Sequence, residues 1–214
     1  MPRYADPVER RRQVADALLR VVAAEGFEAA SIPRIARELG ASTGLVQAYF
    51  RSKDELLLFA AEQLADRLRS RVEAALAHGD GVKERLLYGM SVIGGADEEY
   101  PTEGRVWLAF LARATVHPRL REVHAAGERE IRERCRLAFE IARDLGEVPG
   151  DIDPEAEARS LTAFADGLAL QRAVEPDVIT GDEVRARLRH YLDRVFTGPG
   201  TTGETTGETA GERA

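Results

Sequence analysis

The chain has 214 residues, 44% of them apolar and 31% charged, with a formal net charge of −7 at pH 7. That length holds one large helical unit or two smaller domains, and no run approaches the roughly 20 apolar residues that span a bilayer. A single cysteine, Cys135, excludes an internal disulfide, and the opening MPRYADPVERRRQ lacks the apolar stretch of a signal peptide, so a cytoplasmic location is expected.

Asp6-Pro7-Val8-Glu9 opens the first predicted helix, whose Val14, Leu18, Val21 and Val22 point inward, and Gly26 ends it. Ser31 is an N-cap with Pro33 in the following turn, where a missing N–H does no harm. Ile35, Ala36 and Leu39 make one stripe before Gly40 stops the helix after barely two turns. Ser42 caps another short helix. At 100° per residue Leu45, Val46, Tyr49 and Phe50 fall on one arc, and Thr43, Gly44, Gln47 and Ala48 on the other. Ser52 and Glu55 have capping-box spacing and start a fourth helix.

Two short helices locked by a tight turn onto a longer one carry a small helix into the major groove of DNA. Thr43 and Gln47, one turn apart, suit hydrogen bonds to base or phosphate atoms, and Ala48 suits a thymine methyl. Charge agrees with this placement. Residues 1–53 hold nine basic and six acidic residues, whereas the remainder holds 21 and 31. Arg10-Arg11-Arg12 and Lys53 lie in the basic part and are candidates for phosphate contact.

The fourth helix is expected from Ser52 to about His78, with Leu56, Leu57, Phe59, Ala60, Leu64 and Leu68 inward. Further helices are predicted over 82–94, 105–116, 118–145, 154–174 and 181–196, separated by Gly- and Pro-containing breaks, with no period-two alternation that would mark strands. The fold class is therefore all-α. Residues 198–214 repeat Thr-Thr-Gly-Glu without an apolar face and read as a disordered tail. The full apolar faces of the last two helices suggest a two-fold bundle with a second copy, through Leu161, Ala165, Leu168, Leu188, Tyr191 and Leu192. Among the bulky residues of the body, Tyr88, Met90, Trp107, Phe110 and Phe139, with His117 and His124 as polar handles, are candidates for a ligand pocket. Cys135 shares an apolar phase with Ile131, Ala138 and Phe139 and reads as a small core residue.

No catalytic or metal-binding constellation stands out. His78, His117, His124 and His190 are scattered, no CxxC occurs, and no phosphate-cradling glycine motif occurs, so neither an enzyme nor a cofactor is expected.

Gly40-Ala41-Ser42-Thr43-Gly44 and Tyr49-Phe50-Arg51-Ser52-Lys53-Asp54-Glu55-Leu56 resemble the head motif of the TetR family of bacterial transcriptional regulators. Trp107-Leu108-Ala109-Phe110, His117-Pro118-Arg119-Leu120-Arg121 and Phe164-Ala165-Asp166-Gly167-Leu168 look like the C-terminal domain of its BetI-type members. The resemblance implies that Thr43, Gly44, Leu45, Gln47 and Tyr49 face DNA and that Lys53 holds a phosphate. This chain has Gln47 where the family usually has a tyrosine. With the caps and the outward face, the candidate DNA-binding set is Ser31, Ser42, Thr43, Gly44, Leu45, Gln47, Ala48, Tyr49 and Lys53.

The expected organisation is a DNA-binding head over 1–53, a helical effector-binding and dimerisation domain over 54–197, and the tail. The expected function is a homodimeric repressor that binds a pseudo-palindromic double-stranded operator and is released by a small-molecule effector. The alternative is a helical small-molecule-binding or adaptor protein without DNA affinity.

Overall fold

The computed structural model describes residues 6–98 and 100–196; the predicted tail lies outside them. Among the described residues the chain forms nine α-helices and no strands. Side-chain caps set most of the boundaries. The Asp6 carboxylate accepts from the Val8 N–H to open α1 (Pro7–Glu25), and Ser31 Oγ accepts from the Arg34 N–H to open α2 (Ile32–Leu39). Gly40, at φ 69° and ψ 33°, ends α2 in the left-handed conformation that a side chain resists. The chain then turns at once into α3 (Thr43–Tyr49), capped by Ser42. Ser52 caps α4 (Lys53–Leu76) through the Glu55 N–H.

The body follows as α5 (Val82–Ile93), α6 (Tyr100–Ala114), α7 (Pro118–Asp144), α8 (Pro154–Val174) and α9 (Gly181–Val195). Helix α6 begins five residues before the predicted start. Pro101 stands in its first turn, where a helix tolerates the missing donor, so the proline does not mark a break. The other helices begin within one residue of expectation and end within two.

Two cores organise these elements. The first joins α1–α4 around Val14, Leu18, Val21, Ile35, Val46, Phe50 and Leu56, and takes in Val106, Phe110 and Ala114 of α6 and Leu120 of α7. The second joins α5, α7, α8 and α9 around Met90, Phe139, Leu161, Leu188 and Leu192. Helix α4 reaches both, since Val72 at its far end belongs to the second core. Cys135 is buried there with its Sγ 3.6 Å from Met90 Sδ, and burial pushes its thiol pKa up to about 12, so it is a core residue rather than a reactive one.

Candidate nucleic-acid interface and a cavity in the body

Helix α3 is too short to persist alone and is held by what lies beneath it. Val46 and the following Phe50 are buried, while Leu45 and Tyr49 are half-buried against the same core. Thr43, Gly44, Gln47 and Ala48 are exposed together on the opposite side. Leu45 and Tyr49, counted among the residues facing DNA, thus belong chiefly to the packed side; their apolar bulk is better satisfied by the head core than by water. Ser42 and Ser31 are exposed but use Oγ as cap acceptors, at 3.2 Å from Leu45 N and 3.3 Å from Arg34 N, which leaves each hydroxyl proton free to donate.

The arginine run divides in a way that periodicity does not reveal. Arg11 lies over the rings of Phe50 and Phe59, 4.3 and 4.8 Å from their centroids. Its Nη1 donates to the Tyr49 carbonyl at 2.9 Å, and its Nη2 lies 3.4 Å from Glu55 Oε1. Glu55 also accepts from the Arg51 N–H at 2.9 Å, a bond that holds its carboxyl below the usual range ahead of the effect of Arg11. Arg11 therefore pins the end of α3 to α1 and α4. Arg12 remains exposed, and Lys53, first residue of α4, rests its ammonium 5.4 Å from the Phe27 ring centroid. An exposed network of Arg34 with Glu25 and Glu38, and Arg20 with Glu38, ties α2 to α1; each such pair contributes little alone.

The body contains a cavity of about 360 Å³ between α4, α6, α7 and α8, with the end of α5 also in its wall. That volume lies within the range of small-molecule sites. Trp107 and Phe110 line it, as does His124, whose ring lies 5.2 Å from that of Trp107. Four other candidates do not. Tyr88 is on the surface of α5, Met90 and Phe139 are committed to the second core, and His117 Nδ1 accepts from the Leu120 N–H as the cap of α7. They were placed by bulk or polarity, but their helical phase turns them elsewhere.

Ionisable groups that line the cavity without having been pocket candidates include Tyr100, Glu103, Glu128, Glu130 and Asp166. Asp166 is an exposed residue, yet desolvation, reinforced by Glu128, raises its pKa to about 6 against the opposing effects of His124 and Arg132. Desolvation also raises Glu128, lowers His124 and pushes Tyr100 up to about 12. Glu128 has Arg132 at 3.4 Å, while Asp166 has no ion-pair partner among the described residues. The arginines that line the cavity are already engaged: Arg67 with Asp16, Arg69 with Asp66 and Glu130, Arg71 with Asp97 and Glu103, and Arg134 with Glu73 and Glu130. The Trp107 end of the cavity is aromatic and acidic.

Of the six residues expected at a dimer surface, Tyr191 alone keeps partial exposure. Leu161, Ala165, Leu168, Leu188 and Leu192 are buried within the chain, and half-buried Tyr191 stacks on Phe164 and donates to Glu157 at 2.9 Å. The most apolar face of a helix closes its own core first. Among the residues that α8 exposes, Ala156, Ser160, Ala163, Gly167, Leu170 and Val174 form a seam at alternating spacings of four and three. Leu170 and Val174 are 50% and 66% exposed.

A small helix held outward by a tight turn, on a head continuous with a cavity-bearing helical body, defines a helix-turn-helix DNA-binding regulator of transcription. Residues 14–60 match the model for bacterial regulatory proteins of the tetR family, and residues 82–197 match that for the C-terminal part of BetI-type transcriptional repressors. The chain belongs to the TetR family. It is 29% identical over 195 residues to the transcriptional regulator PksA of Bacillus subtilis, covering 91% of this chain and 94% of that one. It is 31% identical over 196 residues to BetI of Escherichia coli K12, covering 90% and 96%. A solved transcriptional regulator from Rhodococcus sp. Rha1 matches with a TM-score of 0.76 and 30% identity, over 86% of this chain and 95% of that one. A regulator from Saccharomonospora viridis, solved with choline, matches with a TM-score of 0.79 over 87% and 96%; its 24% identity shows the fold alone. The family and these relatives are regulators, not enzymes. No helix of the described residues is long and apolar enough to cross a membrane.

Proposed function

We propose that this protein is a cytoplasmic, homodimeric repressor that grips a pseudo-palindromic operator and is released when a small organic cation enters the cavity. The head of residues 1–53 reads DNA, and residues 54–197 bind the effector and a second copy. The observation that carries the reading is the one-sided burial of α3: a packed arc under Val46, and an exposed arc of Thr43, Gly44, Gln47 and Ala48. Two such helices on one face of the duplex reach half-sites about 34–36 Å apart. The α8 seam supports the pairing, because its spacing is that of a helix packed lengthwise against its copy.

The test is selection of duplexes from a random pool, followed by footprinting of the winners. In that system Gln47→Ala costs about 1–3 kcal/mol on the selected site and relaxes preference at one base. Lys53→Ala weakens all duplexes alike and lowers the salt slope by about one. Failure of the wild-type chain to enrich any duplex defeats the reading.

The effector class rests on Asp166, which lies with Glu128 and Tyr100 in a cavity also lined by Trp107 and Phe110. A carboxylate without an ion-pair partner in an aromatic-walled cavity favours a ligand cation. The choline bound by the Saccharomonospora protein is a cation of this class. The sequence has one tryptophan, Trp107, so its fluorescence reports cavity occupancy directly. Benzyltrimethylammonium is expected to bind and benzyl alcohol to bind far more weakly, a difference that Asp166→Asn abolishes. The pH dependence follows from Asp166, whose pKa lies near 6. The carboxylate is the binding form, so affinity is steady above about pH 7 and falls as pH drops through 6. Protonation of His124 at lower pH acts in the same direction. An unchanged affinity between pH 8 and pH 5 would exclude Asp166 as the counter-ion.

A further inference from the structure

Phe27, in the turn after α1, stands between the cavity and the first residue of α4. Its ring meets Phe110 edge-to-face, with centroids 5.7 Å apart and planes at 85°. Phe110 is buried on α6 and has two commitments: it lines the cavity and it belongs to the head core. The same Phe27 ring seats the Lys53 ammonium at 5.4 Å and has the Arg113 guanidinium at 5.8 Å. Arg113 is on α6, three residues beyond Phe110. One half-buried ring is thus touched by two side chains of a cavity-lining helix and by the lysine at the start of α4.

We infer that Phe27 is the positioning residue through which an occupied cavity alters the phosphate contact of Lys53. This rests on the proposed roles of Lys53 and of the cavity. A lysine stem is flexible, and a ring beneath its ammonium restricts it to a seat from which it reaches a phosphate. An effector against Phe110 shifts the side chain that buttresses that ring, and Arg113 moves with the same helix. Packed aromatic rings do not yield continuously, so a small displacement of α6 passes to Phe27 rather than being absorbed. Proximity alone does not establish coupling; a cycle of substitutions does.

The experiment needs no identified effector. Gly127 lines the cavity, and a Cβ built on it meets no other atom within 4 Å, so Gly127→Phe adds a ring at the cavity wall without a clash at its Cβ. Affinity for a fluorescein-labelled selected duplex is measured by anisotropy for the wild type, Gly127→Phe, Phe27→Leu and the double variant. Phe27→Tyr with Gly127→Phe is the conservative control, and circular dichroism melts establish that each variant is folded. Gly127→Phe is expected to weaken binding about tenfold in the wild-type background and less than about twofold in the Phe27→Leu background, within the usual range of allosteric coupling. Phe27→Tyr, which keeps the ring, restores the tenfold response. Phe27→Leu alone lowers the salt slope toward that of Lys53→Ala.

An equal loss in the wild-type and Phe27→Leu backgrounds overturns the inference while leaving the regulator reading intact. No loss from Gly127→Phe in a folded wild-type background defeats the effector reading itself, and the inference with it.

Discussion

Phe50→Ala is expected to destabilise the head by about 3–5 kcal/mol, the cost of emptying a fully packed aromatic site. Phe50 is 1% exposed and packs on Phe59 with ring centroids 5.5 Å apart. The substitution does more than leave a void. Arg11 stacks on this ring while it donates to the Tyr49 carbonyl at the end of α3, so its guanidinium loses its lower support. Whole domains are stable by only about 5–15 kcal/mol, so such a loss is a large share of the total. Urea unfolding followed by circular dichroism measures it, and operator binding should vanish well below the melting temperature of the wild type. A cost under about 1 kcal/mol would show that α3 is anchored elsewhere.

Ala163→Glu combined with Val174→Glu is expected to give a monomer whose operator affinity is lower by a factor on the order of 100 to 1,000. Both positions are exposed on the α8 seam, so the isolated chain has no reason to unfold. Across a two-fold axis a position on one copy meets a second position on the other and the reverse, so the substitutions bring four new carboxylates into one seam. A monomer binds one half-site, and the gain from binding the second without fresh diffusion disappears. Sedimentation equilibrium and anisotropy on a full operator check the two halves of the claim. Leu161→Glu makes the contrast: at 0% exposure it should unfold the chain rather than divide a dimer. A doubly substituted protein that stays dimeric would remove α8 from the interface.

Both faces of α3 were legible in the sequence, because Val46 and Phe50 inward and Thr43, Gln47 and Ala48 outward follow from a 100° step alone. The caps were legible for the same local reason, as Ser31, Ser42 and Ser52 each act within three residues. The cavity was not. Its wall is assembled from α4, α5, α6, α7 and α8, and which side of each helix meets it depends on packing that no window of residues contains. Trp107, the first choice for a pocket wall, does line it, but nothing in the sequence removes Tyr88 and Phe139 until the helices are brought together. The seam of α8 was hidden for a different reason. Its small residues stand beside the leucines of the opposite face, whose strong hydrophobicity marked the inside of this chain. Arg11 was obscured by its neighbours, since a run of three arginines carries no sign that one lies over a pair of rings.

The sharing of Val106, Phe110, Ala114 and Leu120 with the head core has a practical consequence for recombination. A chimera cut after residue 53 would strip this head of part of its floor and expose apolar surface on the sensor left behind. A transplant that keeps its fold must carry the 106–120 segment, or find side chains of matching volume there in its new host. Exchange of specificity within such proteins is therefore expected to succeed by rewriting the outer arc of α3, a handful of positions, sooner than by swapping whole heads.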